Sequence, residues 1–374
     1  MFEEYLEKAI AKERVVVNRN RDRVPYTTGA DGRFDDCSGD KIGWWTNGFW
    51  GGILWQMYAA TGEEIFREEA IGVENKLDAV LLNADAMDHD SGFRWLPTSH
   101  AHFLNDGAKE SMNRLRLAAD NMMGRFNMAG RFFRAWNEYK GDKHTGWAII
   151  DCMMNLPLLY IVGRELEDPR YRQTATAHAD TAMKYFVRED GSVNHIVVFD
   201  PESGAFSHTL GGQGYAVGST WTRGQAWAVY GFTLSFLHTG KPEYLETARK
   251  CADYFVSHIP ETGVIPVDFA QPAEPAWEDE TAAVIAACGL IELSRAEEKN
   301  GDAARAEKYM KAAEQLVGAA CEKRCDWTEN KDNILEKCTA AYHDQKHEFA
   351  IIYGDYYLIE ALMKLNGKDL KIWL

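Results

Sequence analysis

The feature that most limits the fold of this chain is a recurring break. Gly62, Gly107, the run Glu167-Asp168-Pro169, the run Gly240-Lys241-Pro242 and Gly301-Asp302 each separate an apolar stretch from a charged, Ala-containing one. Glycine ends helices by adopting a left-handed conformation, and proline fits the first helical position, where no N–H is needed. Each break therefore reads as the stop of one helix and the start of the next. Neighbouring breaks lie 45 to 73 residues apart (62 to 107, 168 to 241), the length of a helix pair with its loops. About six such pairs fit the chain, which predicts an all-α toroid of helical hairpins in one domain, residues 1–374. The amphipathic stretches 245–256 and 305–317 belong to an outer ring, and the apolar stretches 51–60, 227–237 and 282–293 to an inner one. The spacing is loose, so it supports helical repeats more firmly than it supports the number six. Residues 192–206, with Ile196-Val197-Val198-Phe199 before a turn at 200–204, read as a small β-hairpin, and 263–269 looks similar. Excursions of this kind belong to loops at one rim, where sites are built.

Charge narrows the choice of partners. A net charge of −16 is wrong for nucleic acid or an anionic membrane, both of which need a basic footprint. It does not exclude a small anionic substrate, because salt screens the global field beyond about 8 Å and local residues decide. Residues 1–6 lack the basic and apolar runs of a signal peptide, and no stretch nears the roughly 20 apolar residues of a membrane span. The scattered cysteines read as free thiols in a reducing compartment, so a cytoplasmic location is expected. The 12 tryptophans suit either a large core or a carbohydrate site.

One segment combines both possibilities. In Ser219–Phe232, Trp221 and Trp227 flank Arg223 and Gln225 on a helix opened by Ser219 and Thr220. Aromatic faces stack on sugar rings, and a guanidinium can hold a carboxylate through two parallel N–H bonds, so the segment suits an anionic sugar. Equally, the tryptophans could be core and the arginine solvated. Asp151 stands in Ala148-Ile149-Ile150-Asp151-Cys152-Met153-Met154 with no other charge nearby. A carboxyl in apolar surroundings is desolvated and its pKa rises toward a general acid's range, although Asp before a helix is also a common N-cap. Asp90 lies in Asp88-His89-Asp90-Ser91-Gly92, which fails the calcium-loop pattern in its Gly and at position 99, a serine. His343 with His347, and His100 with His102, have no third ligand in view, so no metal is expected. A phosphate-binding Gly loop and a G-x-S-x-G elbow are missing.

Ser219–Phe232 resembles the corresponding segment of the unsaturated glucuronyl hydrolases, glycoside hydrolase family 88. The similarity extends to 45–50 (WTNGFW), 89–93 (HDSGF), 149–152 (IIDC), 155–159 (NLPLL) and 353–357 (YGDYY), in matching order over nearly the whole chain. The resemblance implies an α6/α6 barrel, with Asp151 as acid/base and Asp90 as a second essential aspartate beside His89. It implies a pocket lined by Trp45, Trp136, His195 and Gln213, with Arg223 and Gln213 toward the substrate carboxylate and Trp221 and Trp227 as walls. Trp44, Trp50 and Trp55 are expected to pack. Asn47 departs from the Asp of several family members, and 336–350 also differs.

The implied reaction removes a terminal 4,5-unsaturated uronic acid from lyase-generated oligosaccharides by hydrating the C4=C5 vinyl ether. It needs no cofactor, because protonation and hydration leave the redox state unchanged. The expected partner is a small unsaturated oligosaccharide, with the protein a monomer or weak homodimer. Other readings are an unsaturated rhamnogalacturonyl hydrolase, an inverting two-carboxylate glycosidase, a sugar epimerase using histidines, and a helical-repeat binding protein.

Overall fold

A computed structural model describes residues 1–138 and 141–374. In chain order the helices are Phe2–Arg19 (α1), Phe49–Thr61 (α2), Glu64–Leu81 (α3), Ser91–Trp95 (α4), Ala101–Asp106 (α5), Lys109–Gly124 (α6) and Leu156–Glu165 (α7). Then follow Pro169–Tyr185 (α8), Thr222–Thr239 (α9), Pro242–Ser257 (α10), Glu280–Asn300 (α11), Ala303–Lys323 (α12) and Ile352–Leu365 (α13). A π-helical turn, Leu96–His100, joins α4 to α5, and Pro97, which has no N–H to give to a ladder, sits inside it.

Helices alternate between two rings. The inner ring runs α2, α4–α5, α7, α9, α11, α13, and α13 packs back on α2 to close it. Of these, α9, α11 and α13 are buried over most of their circumference; in α9, every residue from Thr222 to Ser235 is buried. The outer helices α1, α3, α6, α8, α10 and α12 bury one stripe each, as Tyr244, Ala248, Cys251 and Phe255 do in α10. One apolar core cluster extends from Leu6 to Trp373.

The breaks read from the sequence are the inner-to-outer turns. Gly62, Gly107, Gly240 and Gly301 are left-handed C-caps with φ of 70°, 63°, 70° and 83°. Pro169 and Pro242 open their helices, and the Asp168 carboxylate accepts the Arg170 N–H. Because these turns are tight, they crowd one rim. The long outer-to-inner segments therefore gather at the other rim, around the N-termini of the inner helices.

The expected hairpin is present as Ile196–Phe199 paired with Phe206–Leu210, but it is part of a larger unit. Trp147–Ile149 pairs antiparallel with Ile196–Phe199, giving a three-stranded sheet, and Phe126–Asn127 pairs with Phe132–Phe133 elsewhere. We number these strands β1 (Phe126–Asn127), β2 (Phe132–Phe133), β3 (Trp147–Ile149), β4 (Ile196–Phe199) and β5 (Phe206–Leu210). Residues 263–269 form no hairpin; they make only single bridges, Trp221 to Asp268 and Pro266 to Glu278. Their main chain instead bonds to two segments, 220–222 and 277–279, and the Asp268 carboxylate accepts the N–H groups of Tyr215, Thr220 and Ala270. Among the described residues no helix is long and apolar enough to cross a membrane.

Candidate active site

A cavity of about 510 Å³ opens at the rim of long segments. It draws Trp45 from the approach to α2, His89 and Asp90 from the start of α4, Asp151 from the 3-10 turn before α7, Arg223 from α9 and Tyr353 from α13. The inner helices thus aim their N-terminal ends at one space, and the partial positive charge of those ends favours an anion there.

Asp151 is placed by the sheet. β3 pairs with β4 through Ile149 and Ile196, and the Ile150 N–H donates to the His195 carbonyl at 3.1 Å. That register sets Asp151 Oδ1 3.8 Å from His195 Nε2. The other ring nitrogen, Nδ1, accepts the Gln213 N–H at 2.9 Å, so the ring proton sits on Nε2 and points toward Asp151. Burial lowers the His195 pKa to about 3, and the ring is neutral. Gly212 makes this contact possible: its φ is +57°, and a Cβ there would lie 2.0 Å from His195 Nδ1. Gly212→Ala should therefore displace His195 and lower kcat/KM by on the order of 10²-fold while leaving helical circular dichroism unchanged.

The two carboxyls share a desolvated setting. Burial raises Asp151 to about 7, opposed by the Arg223 charge, and Asp151 Oδ1 has no hydrogen-bond partner among the described residues. Asp90 is raised well above its ordinary value, first by burial and then by the charges of Asp88 and Asp151. A charge on Asp151 thus opposes one on Asp90. His89, 3.5 Å from Asp90 Oδ1, is itself buried and pushed down to about 4. Asp88 is held by Arg94 at 2.7 Å and accepts the Asp90 N–H at 2.9 Å.

Trp45, His89, Asp90, Trp136, Asp151, Gln213 and Arg223 all line the cavity. Three residues stand elsewhere. Trp227 is fully buried and packs on Phe93 and Tyr357 in the core, because its position on α9 faces the barrel axis below the cavity. Trp221 backs His195, with ring centroids 4.3 Å apart, and also faces the Arg223 guanidinium at 4.5 Å. His195 itself is 5% exposed and reaches the site through Nε2. Trp44, expected to pack, is 46% exposed and lines the cavity beside Tyr26, Tyr353 and Asp344.

Arg223 is not the free fork that the sequence suggested. Its two terminal nitrogens already donate to Asp279, Thr281, the Thr339 carbonyl (2.7 Å) and the Ala340 carbonyl. A two-bond grip on a substrate carboxylate would have to displace these bonds, so Arg223 acts here as a fixed buried charge. Gln213 likewise spends one amide N–H on the Ala340 carbonyl, at 2.7 Å. The divergent 336–350 segment is therefore the floor on which both residues rest. Asn47 donates to the carbonyls of Lys41 (2.9 Å) and Ile42 (2.8 Å), bonds that an aspartate could not make, so this departure holds the loop under Trp44. Among the described residues no group of His, Cys, Asp and Glu is arranged to hold a metal ion.

The sequence profile of Glycosyl Hydrolase Family 88 matches residues 11–257. The chain belongs to glycosyl hydrolase family 88. It is 37% identical to the unsaturated glucuronyl hydrolase of Bacillus sp. strain GL1, over 94% of this chain and 93% of that protein. It is 31% identical to an unsaturated chondroitin disaccharide hydrolase of Streptococcus pyogenes serotype M1, over 86% of this chain and 80% of that one. The crystal structure of the Bacillus sp. GL1 unsaturated glucuronyl hydrolase, responsible for glycosaminoglycan degradation, superposes with a TM-score of 0.93 at 32% identity, covering 100% of this chain and 99% of that one. The family-88 α6/α6 barrel is thus the frame of the cavity, and the chain is a glycoside hydrolase.

Proposed function

We propose that this family-88 hydrolase removes a terminal 4,5-unsaturated uronic acid from lyase-generated oligosaccharides, with Asp151 and Asp90 as its catalytic residues. The observation that carries the reading is a single oxygen. Asp151 Oδ1 is buried at the cavity without a hydrogen-bond partner among the described residues, on a carboxyl raised to about 7, with a second raised carboxyl in the same space. A group in that state can hold a proton at neutral pH and give it up to carbon.

In this reading the unsaturated ring lies against Trp45 and Trp136, and its carboxylate lies toward the Arg223 side. The incoming negative charge offsets Arg223, which had favoured ionised Asp151. Ring hydroxyls donate to Asp90 and favour its ionised form. Both effects move the shared proton onto Asp151. Asp151 then protonates C4, and the cation at C5 is shared with the ring oxygen. Water adds to C5 and returns a proton to Asp151. The C5 hemiketal opens to a ketone, and the hemiacetal left at C1 expels the remaining sugar. The balance is one water consumed, with no change of redox state.

The pH dependence follows from the sign of the shift. Because the acid is active when protonated and sits near 7, kcat/KM should fall about tenfold per unit above that pH, measured by initial loss of alkene absorbance. A panel of unsaturated disaccharides from hyaluronan, chondroitin, heparin and gellan tests the reading itself. It predicts loss of the ultraviolet absorbance of the conjugated alkene for at least one of them. Release of sugar from saturated substrates, with every alkene left intact, would replace this reading with an ordinary inverting glycosidase.

A further inference from the structure

Asn155 closes the 3-10 turn that carries Asp151, yet its side chain reaches across to the carboxyl of Asp90. It opens α7, is fully buried, and its Nδ2 donates to Asp90 Oδ1 at 3.2 Å and to the Asp151 carbonyl at 3.3 Å. Its Oδ1 accepts the Phe93 N–H at 2.9 Å, which fixes the amide's orientation, since only the nitrogen end can then face the carboxyl. The approach is close: a Cβ on Gly92 would lie 2.6 Å from Asn155 Cα and 2.7 Å from its Oδ1. This amide is thus clamped between the start of α4 and the start of α7, the two elements that carry the reacting groups.

We propose that Asn155 is a positioning residue that decides which carboxyl of the pair holds the shared proton, by donating to Asp90 and so favouring proton residence on Asp151. The inference rests on the hydration reading above and deepens it. An N–H aimed at a carboxylate oxygen stabilises the ionised form, and in a desolvated site no water competes for that oxygen. The other groups facing Asp90 are set against this. Asp88 and Asp151 oppose its ionisation, Arg94 favours it, and neutral His89 adds no charge. On the side of α7, the Cys152 thiol is buried and pushed well up, so it too stays neutral. Arg94 reaches Asp88 through Nη2 at 2.7 Å and makes no hydrogen bond to Asp90, so among the described residues the Asn155 amide is the side-chain donor placed on the Asp90 carboxyl.

The test uses Asn155→Asp, which keeps an acceptor for the Phe93 N–H but removes the donor, and Asn155→Ser, which shortens the side chain. Each is assayed for alkene loss across pH beside the wild type. In the wild type the acid limb of the profile reports ionisation of Asp90. Loss of the donor should move that limb upward by about one pH unit and lower kcat/KM on its acid side by about tenfold, with the fall in kcat. A folded variant with an unmoved acid limb overturns the inference, and so does failure of both variants to fold, which would assign Asn155 to the fold. Absence of alkene loss in the wild type is a different result, and it overturns the hydration reading instead.

Discussion

Asp151→Asn should abolish alkene hydration, with kcat/KM lower by about 10³-fold or more, while substrate affinity stays within a few fold. General acid–base groups contribute about 10² to 10⁴ in rate, and here one group serves both the protonation of C4 and the activation of water. Asparagine keeps the size of the side chain and so keeps the cavity, but it has no proton to give. The same variant carries a second signature. The folded protein holds a proton on Asp151 up to about pH 7, whereas the unfolded chain loses it near the ordinary aspartate value of 3.8. A raised carboxyl pKa favours folding below the unfolded value, and that contribution declines as pH rises through the folded one. Asparagine does not titrate. Asp151→Asn should therefore be more stable than wild type at pH 8, with the difference shrinking toward pH 4, as read by thermal melts. Inactivity with raised stability is the mark of a site residue whose charge the fold resists.

Arg223→Leu should have the largest effect on stability. Arg223 and Asp279 face each other with side chains 1% and 0% exposed. Asp279 also accepts from Thr281 and from the Thr339 N–H, at 3.2 Å for the latter, and so pins the 336–350 segment to α11. Removing one partner of a buried pair strands the other charge, which typically costs about 3–5 kcal/mol. Denaturant midpoints of the variant should fall accordingly, and the floor formed by Ala340 and Ala341 should loosen. The double variant Arg223→Leu/Asp279→Leu removes both charges and should recover most of the stability, because an apolar pair can occupy a dry site without a desolvation cost. Activity should not return, since the charge toward which the substrate carboxylate lies is still gone. If the single variant is as stable as wild type, Arg223 is not the buried anchor described here.

How much of this was legible in the sequence differs by element. The tight turns were legible because glycine and proline act locally: Gly62, Gly107, Gly240 and Gly301 cap helices wherever they stand. The split between rings was legible for α9 and α10 because all-round apolarity and a single stripe differ along a short window. Asp151 was visible as the one charge in an apolar run. What places it was not visible, since β3 is three residues long and pairs with β4, about fifty residues on. Trp227 was read as a wall because spacing gives the face of a helix but not its height along the barrel axis. Arg223 was read as a free fork because its partners, Asp279, Thr339 and Ala340, come from segments far along the chain. Trp44 and Tyr26 reach the cavity from an irregular loop, where periodicity carries no signal. Asn155 stands in the segment 155–159, but only the packing of α4 on α7 reveals that its amide bridges the Asp90 carboxyl and the Asp151 main-chain carbonyl.

The central claim is that Asp151 delivers a solvent-derived proton to C4, and isotope labelling tests it most directly. The reaction is run in D2O on an unsaturated disaccharide the enzyme consumes, for a short time, and the product is trapped at once by borohydride reduction. Nuclear magnetic resonance then locates the label. The account predicts a single deuterium at C4, on one face, in amounts equal to the sugar released, and none with Asp151→Asn. Release of the sugar from a uronate that still carries its C4=C5 bond and no deuterium at C4 would contradict it.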